Sequence, residues 1–224
     1  MSSPLRLIIF DVDGTLVDSQ GDIIAAMTHA FDSIGQPVPE RAAILGIVGL
    51  SLDVAMPRLA PQLSRQDHAA LVEGYKASYK ARRVSSDTKI TSPLYPHALE
   101  TLRALNKTPD YLLGVATGKS NRGLRGLIES HGFDGMFVTR QTADDHPSKP
   151  NPSMLLAALA ETGVEADNAV MIGDTSFDME MAQAAGITSI GVSWGYHPRE
   201  ALGKAACIID DFRDLNLALN TLWR

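Results

Sequence analysis

Two aspartates stand one residue apart in Phe10-Asp11-Val12-Asp13-Gly14-Thr15, directly after the apolar run from Leu7 to Phe10. A chain leaving a strand can turn both carboxylates toward one site, and Gly14 allows the sharp bend that follows. Such a pair suits divalent-cation binding, nucleophilic attack and general acid–base work. Asp-x-Asp-Gly also opens EF-hand calcium loops, but those need a Glu at the twelfth position and a helix before the loop. Here the twelfth position is Asp22, and a strand-like run comes first.

Three later segments carry compatible chemistry. Gly114-Val115-Ala116-Thr117-Gly118 ends an apolar run on a hydroxyl, and a helix starting near Ser120 would offer free amides to an anion. A threonine at that point also serves as an ordinary helix cap. Ser148-Lys149-Pro150-Asn151-Pro152 holds one lysine in stiff backbone ahead of a helix, which suits a positioned cation as well as a surface lysine. In Gly173-Asp174-Thr175-Ser176-Phe177-Asp178 two more acids follow an apolar run, and one of them can cap the next helix.

The elements that must position these residues alternate. Short apolar runs at 7–10, 111–116, 169–172, 187–192 and 207–209, with a weaker one at 136–138, read as buried strands. Helical stretches at 97–106, 121–130, 152–161 and 177–185 separate most of them, which predicts a parallel sheet covered on both faces. Residues 18–92 differ: 23–34, 41–47, 52–59 and 66–81 read as helices with no strand among them. A helical module is therefore inserted after the first strand, with Ser85-Ser86-Asp87 and Thr91-Ser92-Pro93 as its return linker.

The whole chain has 224 residues, is 45% hydrophobic and 21% charged, and carries a net charge of −6, which suits a core plus an insertion and argues against general nucleic-acid binding. A lone cysteine, Cys207, excludes an internal disulfide and reads as a buried, inert thiol in a reducing compartment. No run is long enough to span a bilayer and no secretion signal opens the chain, so the expectation is a cytoplasmic protein, monomer or homodimer.

Taken together, the four segments resemble the four sequence motifs of the haloacid dehalogenase-like hydrolase superfamily, in order and across the whole chain. Asp11 and Asp13 match the first motif, Thr117 the second, Lys149 the third, and Asp174 with Asp178 the fourth. Thr117-Gly118-Lys119-Ser120, the stretch from Thr142 to Pro150 and Trp194-Gly195-Tyr196 are similar to the phosphoglycolate phosphatase-like branch. The resemblance implies a three-layer, Rossmann-like α/β core (1–17 and 93–224) with strand order 3-2-1-4-5, and an α-helical cap (18–92). It also implies a Mg²⁺-dependent phosphatase acting on a small phosphorylated metabolite, phosphoglycolate-like or a sugar phosphate. Asp11 would be the nucleophile and Asp13 the acid and base, with Thr117 and Lys149 on the phosphoryl oxygens. Mg²⁺ would be held by Asp11, Asp174 and the Asp13 carbonyl, while Asp178 meets a metal-bound water or orients Lys149.

Gly49-Leu50-Ser51 is the candidate cap loop facing the site, with Lys119, Asn121 and Arg122 at its entrance and Gly118 in a supporting role beside Thr117. Arg82 and Arg83 are weighed against a solvated helix end, and His146 against an ordinary packing histidine; the other histidines stand in no constellation. Four rivals share the fold. A 2-haloacid dehalogenase lacks an acid at the position of Asp13, as does a phosphonate hydrolase. A sugar phosphomutase usually shows Gly-Val where this chain has Gly14-Thr15. A non-catalytic binding protein on the same scaffold would have lost one of Asp11, Asp13, Lys149 or Asp174, and all four are present.

Overall fold

The structure, a computed structural model, describes residues 4–85 and 92–223. Its sheet holds β1 (Arg6–Phe10), β2 (Tyr111–Thr117), β3 (Thr139–Thr142), β4 (Ala169–Gly173), β5 (Thr188–Val192) and β6 (Cys207–Ile209). All pairings are parallel, in the order β3-β2-β1-β4-β5-β6, so the expected five-strand order gains a sixth strand at the edge.

The central strand explains the three layers. Alternate side chains of a strand point to opposite faces, and β1 is apolar on both. Ile8 and Phe10 join one core cluster with residues of α5 (Ala98–Asn106), α6 (Asn121–His131) and α9 (Leu215–Leu222). Leu7 and Ile9 join a second with residues of α7 (Ser153–Thr162) and α8 (Ser176–Ala185). Register then aligns the strand ends: Phe10 lies opposite Val115 on β2 and Ile172 on β4, and the Asp11 amide donates to the Ile172 carbonyl at 2.9 Å.

Between β1 and α5 stand α1 (Gln20–Ser33), α2 (Arg41–Leu45), α3 (Leu52–Leu59) and α4 (Arg65–Ser85). Met27, Phe31, Ile44, Met56 and Leu71 give this module an apolar cluster of its own. The two chain crossings run side by side. Asp18 donates its amide to Pro93 at 2.8 Å, Val17 bridges Leu94 antiparallel, and the Tyr95 amide reaches the Leu16 carbonyl at 3.0 Å. Of the expected return linker, Ser86, Asp87 and Thr91 lie outside the described residues, as do the side chains of Arg82 and Arg83.

Three expectations need correction. The strand placed at 136–138 forms instead at Thr139–Thr142; Met136 and Phe137 pack into the core ahead of it. This edge strand is held by polar contacts, with Thr139 and Gln141 both donating to Glu161, so it lacks the apolar signature of its neighbours. The C-terminal helix α9 is absent from the sequence reading. Cys207 is half-buried rather than buried, although burial still raises its thiol pKa and so disfavours the reactive thiolate. Among the described residues no helix is long and apolar enough to cross a membrane.

Phe10 is fully buried, whereas Val138 is 56% exposed. Phe10→Ala should cost about 3–5 kcal/mol and Val138→Ser less than about 0.5 kcal/mol, measured by equilibrium urea denaturation.

Candidate active site

The four motif segments converge at the carboxyl ends of the central strands, where the winding of the sheet reverses between β1 and β4. Asp11 follows β1, Thr117 ends β2 and Asp174 follows β4, all buried. Lys149 arrives from the loop before α7 and is also buried. Its ammonium sits 2.9 Å from Asp11 Oδ1 and 2.7 Å from Asp178 Oδ1. The contact to Asp178 is a hydrogen bond and the contact to Asp11 an ion pair. Among the described residues Asp11 Oδ2, although buried, has no hydrogen-bond partner.

Asp178 does two jobs. Its Oδ2 accepts from the Thr175 amide at 3.1 Å and the Thr175 hydroxyl at 2.7 Å, closing a capping box at the start of α8. Its Oδ1 is left for Lys149. The start of α8 and the Lys149 ammonium are thus served by different oxygens of one carboxylate.

Asp174 is clamped from two directions. Thr15 donates its hydroxyl to Oδ1 at 2.8 Å, and the Tyr196 amide donates to Oδ2 at 2.8 Å. Trp194 Nε1 reaches the Thr15 carbonyl at 3.1 Å, so the Trp194-Gly195-Tyr196 loop locks the turn that carries Asp13. At Gly14, with φ +84, a Cβ would run into the Asp174 carboxylate; only glycine lets the two loops close this far.

The carboxylates of Asp11, Asp174 and Asp178 each bring an oxygen within 4.8 Å of the others. Burial pushes the Asp11 carboxyl up to about 7 against the pull of Lys149, and Asp178 and Asp13 add to the rise. Burial, then Asp11 and Asp178, raises Asp174 well above the usual carboxylate range. Burial works against the Lys149 ammonium too, but Asp11 and Asp178 outweigh it and raise its pKa. Crowded anionic oxygens with unused lone pairs are a donor set that fits a hard divalent cation. The sequence placed Asp178 in a supporting role; its side chain belongs to this cluster.

Asp13 turns its carboxylate elsewhere. Ser19 donates to Oδ1, and Lys119 Nζ lies 2.8 Å from the same oxygen. The Tyr196 hydroxyl accepts from the Ser19 amide at 3.0 Å and lies 3.1 Å from its Oγ. Burial opposes the Lys119 charge, yet Asp13 and Tyr79 more than compensate and raise its pKa. Lys119 is therefore not a free entrance residue. None of Thr15, Ser19, Tyr79 or Tyr196 was singled out in sequence for these contacts, because their partners lie on other elements.

A cleft of about 1230 Å³ lies between the module and the core, lined by Asp11, Asp13, Thr117, Gly118, Lys119 and Arg122 from below and Gly49-Leu50-Ser51, Tyr75 and Tyr79 from above. The Gly49 loop does face the site: a Cβ on Gly118 would stand 2.6 Å from the Gly49 carbonyl, and the Ser51 amide donates to Ser148 Oγ at 2.9 Å. Asn121 does not reach in, since it bonds Asp144 and Asp145. His146 is also engaged elsewhere, bridging Ser153 and Gln141. His197, which the sequence left without company, accepts from the Ser176 amide and reaches the Gly46 carbonyl of the module at 3.2 Å.

The raised Asp11 pKa has a consequence for stability. The unfolded group titrates near 3.8 and the folded one near 7, so the native state alone retains this proton between those values. Its contribution to the stability of the cation-free protein is full below 3.8 and is lost as pH rises through about 7. Melting temperatures in chelator should fall across that window, and a divalent cation should restore most at its upper end.

The model of the family described as haloacid dehalogenase-like hydrolase matches residues 8–192. The chain is 35% identical over 221 residues to the probable phosphatase IndB of Dickeya dadantii, covering 96% of this chain and 94% of that one. It is 31% identical to a phosphoglycolate phosphatase of Vibrio parahaemolyticus, over 88% of each. A crystal structure of a predicted phosphoglycolate phosphatase from Haemophilus somnus superposes with a TM-score of 0.83 at 26% identity, covering 97% of this chain and 99% of that one. With the motif residues gathered at one edge of the sheet, these likenesses show that the chain is a phosphatase of the haloacid dehalogenase-like hydrolase family, in its phosphoglycolate phosphatase-like branch.

Proposed function

We propose that this phosphatase hydrolyses a small phosphorylated metabolite through a phosphoryl group carried on Asp11. The observation that carries the reading is Asp11 itself: a buried carboxylate on the floor of the cleft, with Oδ1 against the Lys149 ammonium and Oδ2 without a hydrogen-bond partner among the described residues. An oxygen without donors keeps its lone pairs available for phosphorus. Asp11, Asp174 and the Asp13 carbonyl would hold Mg²⁺, which when bound would supply positive charge to offset repulsion between the nucleophile and the phosphoryl oxygens.

Uncatalysed phosphate monoester hydrolysis is slow enough that enzymes accelerate it by up to about 10²¹-fold, mostly by positioning and charge. Asp11 attacks phosphorus while the bond to the leaving oxygen breaks, giving an aspartyl phosphate. Asp13 gives its proton to that leaving oxygen, and the alcohol departs. Asp13 then takes a proton from the water that attacks the acyl phosphate, which releases inorganic phosphate and restores Asp11. Lys149 and Thr117 hold the phosphoryl oxygens, and Asp178 fixes Lys149 by its 2.7 Å hydrogen bond. Residues 18–92 act as the cap that excludes water, with Gly49, Leu50 and Ser51 reading the leaving group.

Relatives named phosphoglycolate phosphatase favour a small acidic phosphomonoester. The cleft of about 1230 Å³ exceeds what glycolate needs, which supports sugar phosphates within the same substrate range. A panel of phosphorylated metabolites ranked by kcat/KM would order these.

Asp11→Asn should fold normally and lose turnover, because an amide is a poor nucleophile and a weak ligand for Mg²⁺. Phosphate release from the wild type should stop on chelation and return with Mg²⁺. Retention of more than a few per cent of the wild-type rate by the purified variant would rule out attack by Asp11.

A further inference from the structure

The cap reaches the proton-transfer residue. Lys119, on the loop between β2 and α6, sends its ammonium 2.8 Å from Asp13 Oδ1, with its side chain 9% exposed. The same nitrogen donates to the Tyr79 hydroxyl at 3.2 Å and lies 5.3 Å from the centre of the Tyr79 ring. Tyr79 belongs to α4 of the helical module, and its ring stacks on Tyr75 one turn earlier, with centroids 5.9 Å apart. A chain of contacts thus runs from the module, through a buried lysine, to Asp13.

We infer that Tyr79, acting through Lys119, is a positioning residue for proton transfer at Asp13, so that the acid is held in place only while the cap is closed. This rests on the mechanism proposed above. The physical case begins with the lysine. A four-carbon stem has many rotamers, and a buried ammonium settles where its hydrogen-bond acceptors are. Tyr79 supplies one acceptor and a ring face, and Asp13 supplies the other. Ser19 also donates to Oδ1, so the described contacts of this carboxylate fall on one oxygen and Oδ2 is left to meet the leaving group. Opening the cap carries α4 away and removes the hydroxyl and the ring from Lys119. Asp13 then keeps Ser19 but loses the firm lysine contact, and proton transfer is disarmed while water has access.

The test is a double-mutant cycle read on two leaving groups. Tyr79→Phe keeps the ring, its stacking and its contact with the ammonium, and removes only the hydroxyl. Wild type, Tyr79→Phe, Lys119→Met and the double variant are assayed for Mg²⁺-dependent phosphate release. The substrates are 2-hydroxyethyl phosphate, whose alkoxide needs a proton, and 4-nitrophenyl phosphate, whose phenolate does not. Losing one charge-assisted hydrogen bond should lower kcat on the alkyl ester about tenfold. The loss on the aryl ester should be about twofold or less, with KM little changed. The double variant should be no worse than Lys119→Met alone, since Tyr79 acts only through that lysine.

An equal loss on both substrates would mean that Tyr79 merely ties the cap to the core, and would overturn the inference. Losses that multiply in the double variant would overturn it as well. Should Lys119→Met fail to fold, the leaving-group dependence of Tyr79→Phe decides by itself. Wild-type protein that released no phosphate from either ester would remove the underlying mechanism and this inference with it, a failure distinct from an active enzyme with an additive cycle.

Discussion

Asp11, Asp174 and Asp178 are buried against one another, and the Lys149 ammonium sits between two of them. Away from water, attraction and repulsion among these groups are both magnified, and each carboxylate that goes unpaired costs folding energy. The cluster holds more negative than positive charge; burial first, and then the neighbouring carboxylates, raise the pKa of Asp11 and of Asp174. Much of the surrounding structure manages it. Thr15 and Tyr196 each satisfy one oxygen of Asp174, Thr175 satisfies one of Asp178, and Asp11 is the group left short.

A second constraint is how the inserted helical module is seated on the sheet. Two neighbouring chain crossings, paired through Asp18 with Pro93 and Val17 with Leu94, join the module to the sheet. The module then meets the core at small, specific contacts: the Ser51 amide on Ser148, the Gly49 carbonyl against Gly118, His197 on the Gly46 carbonyl, and Arg58 over the Phe177 ring at 5.6 Å. Contacts of this kind are individually modest. Ser148 precedes Lys149 and Gly118 follows Thr117, so the module touches the core directly beside two of the motif residues.

Strands buried on both faces announce themselves as short apolar runs, which is why β1, β2, β4 and β5 were legible and why the helices between them followed; β6, a partly buried edge strand, was legible from the apolar run Cys207–Ile209. The edge strand β3 was displaced by a few residues because its stability comes from Thr139, Gln141 and Glu161, polar residues with no periodic pattern. Helix α9 was missed for a related reason. Its apolar face is recognisable only once Leu215 and Leu219 are seen against the sheet.

By itself the sequence determined the alternation of elements, the inserted helical module and the four motif segments, because each is a local pattern of residue types at fixed spacing. Asp11, Asp13, Thr117 and Asp174 stood at the ends of apolar runs and Lys149 in a proline-flanked loop, and the resemblance of the four segments to one family's motifs joined them. What only the tertiary structure decided is how their charges are shared. Which oxygen of Asp178 caps a helix and which holds Lys149, which groups clamp Asp174, and that Asp13 answers to Ser19, Lys119 and a cap tyrosine depend on residues far apart in the chain. Spacing in sequence carries no record of such meetings; the register of parallel strands and the seating of one module on another create them.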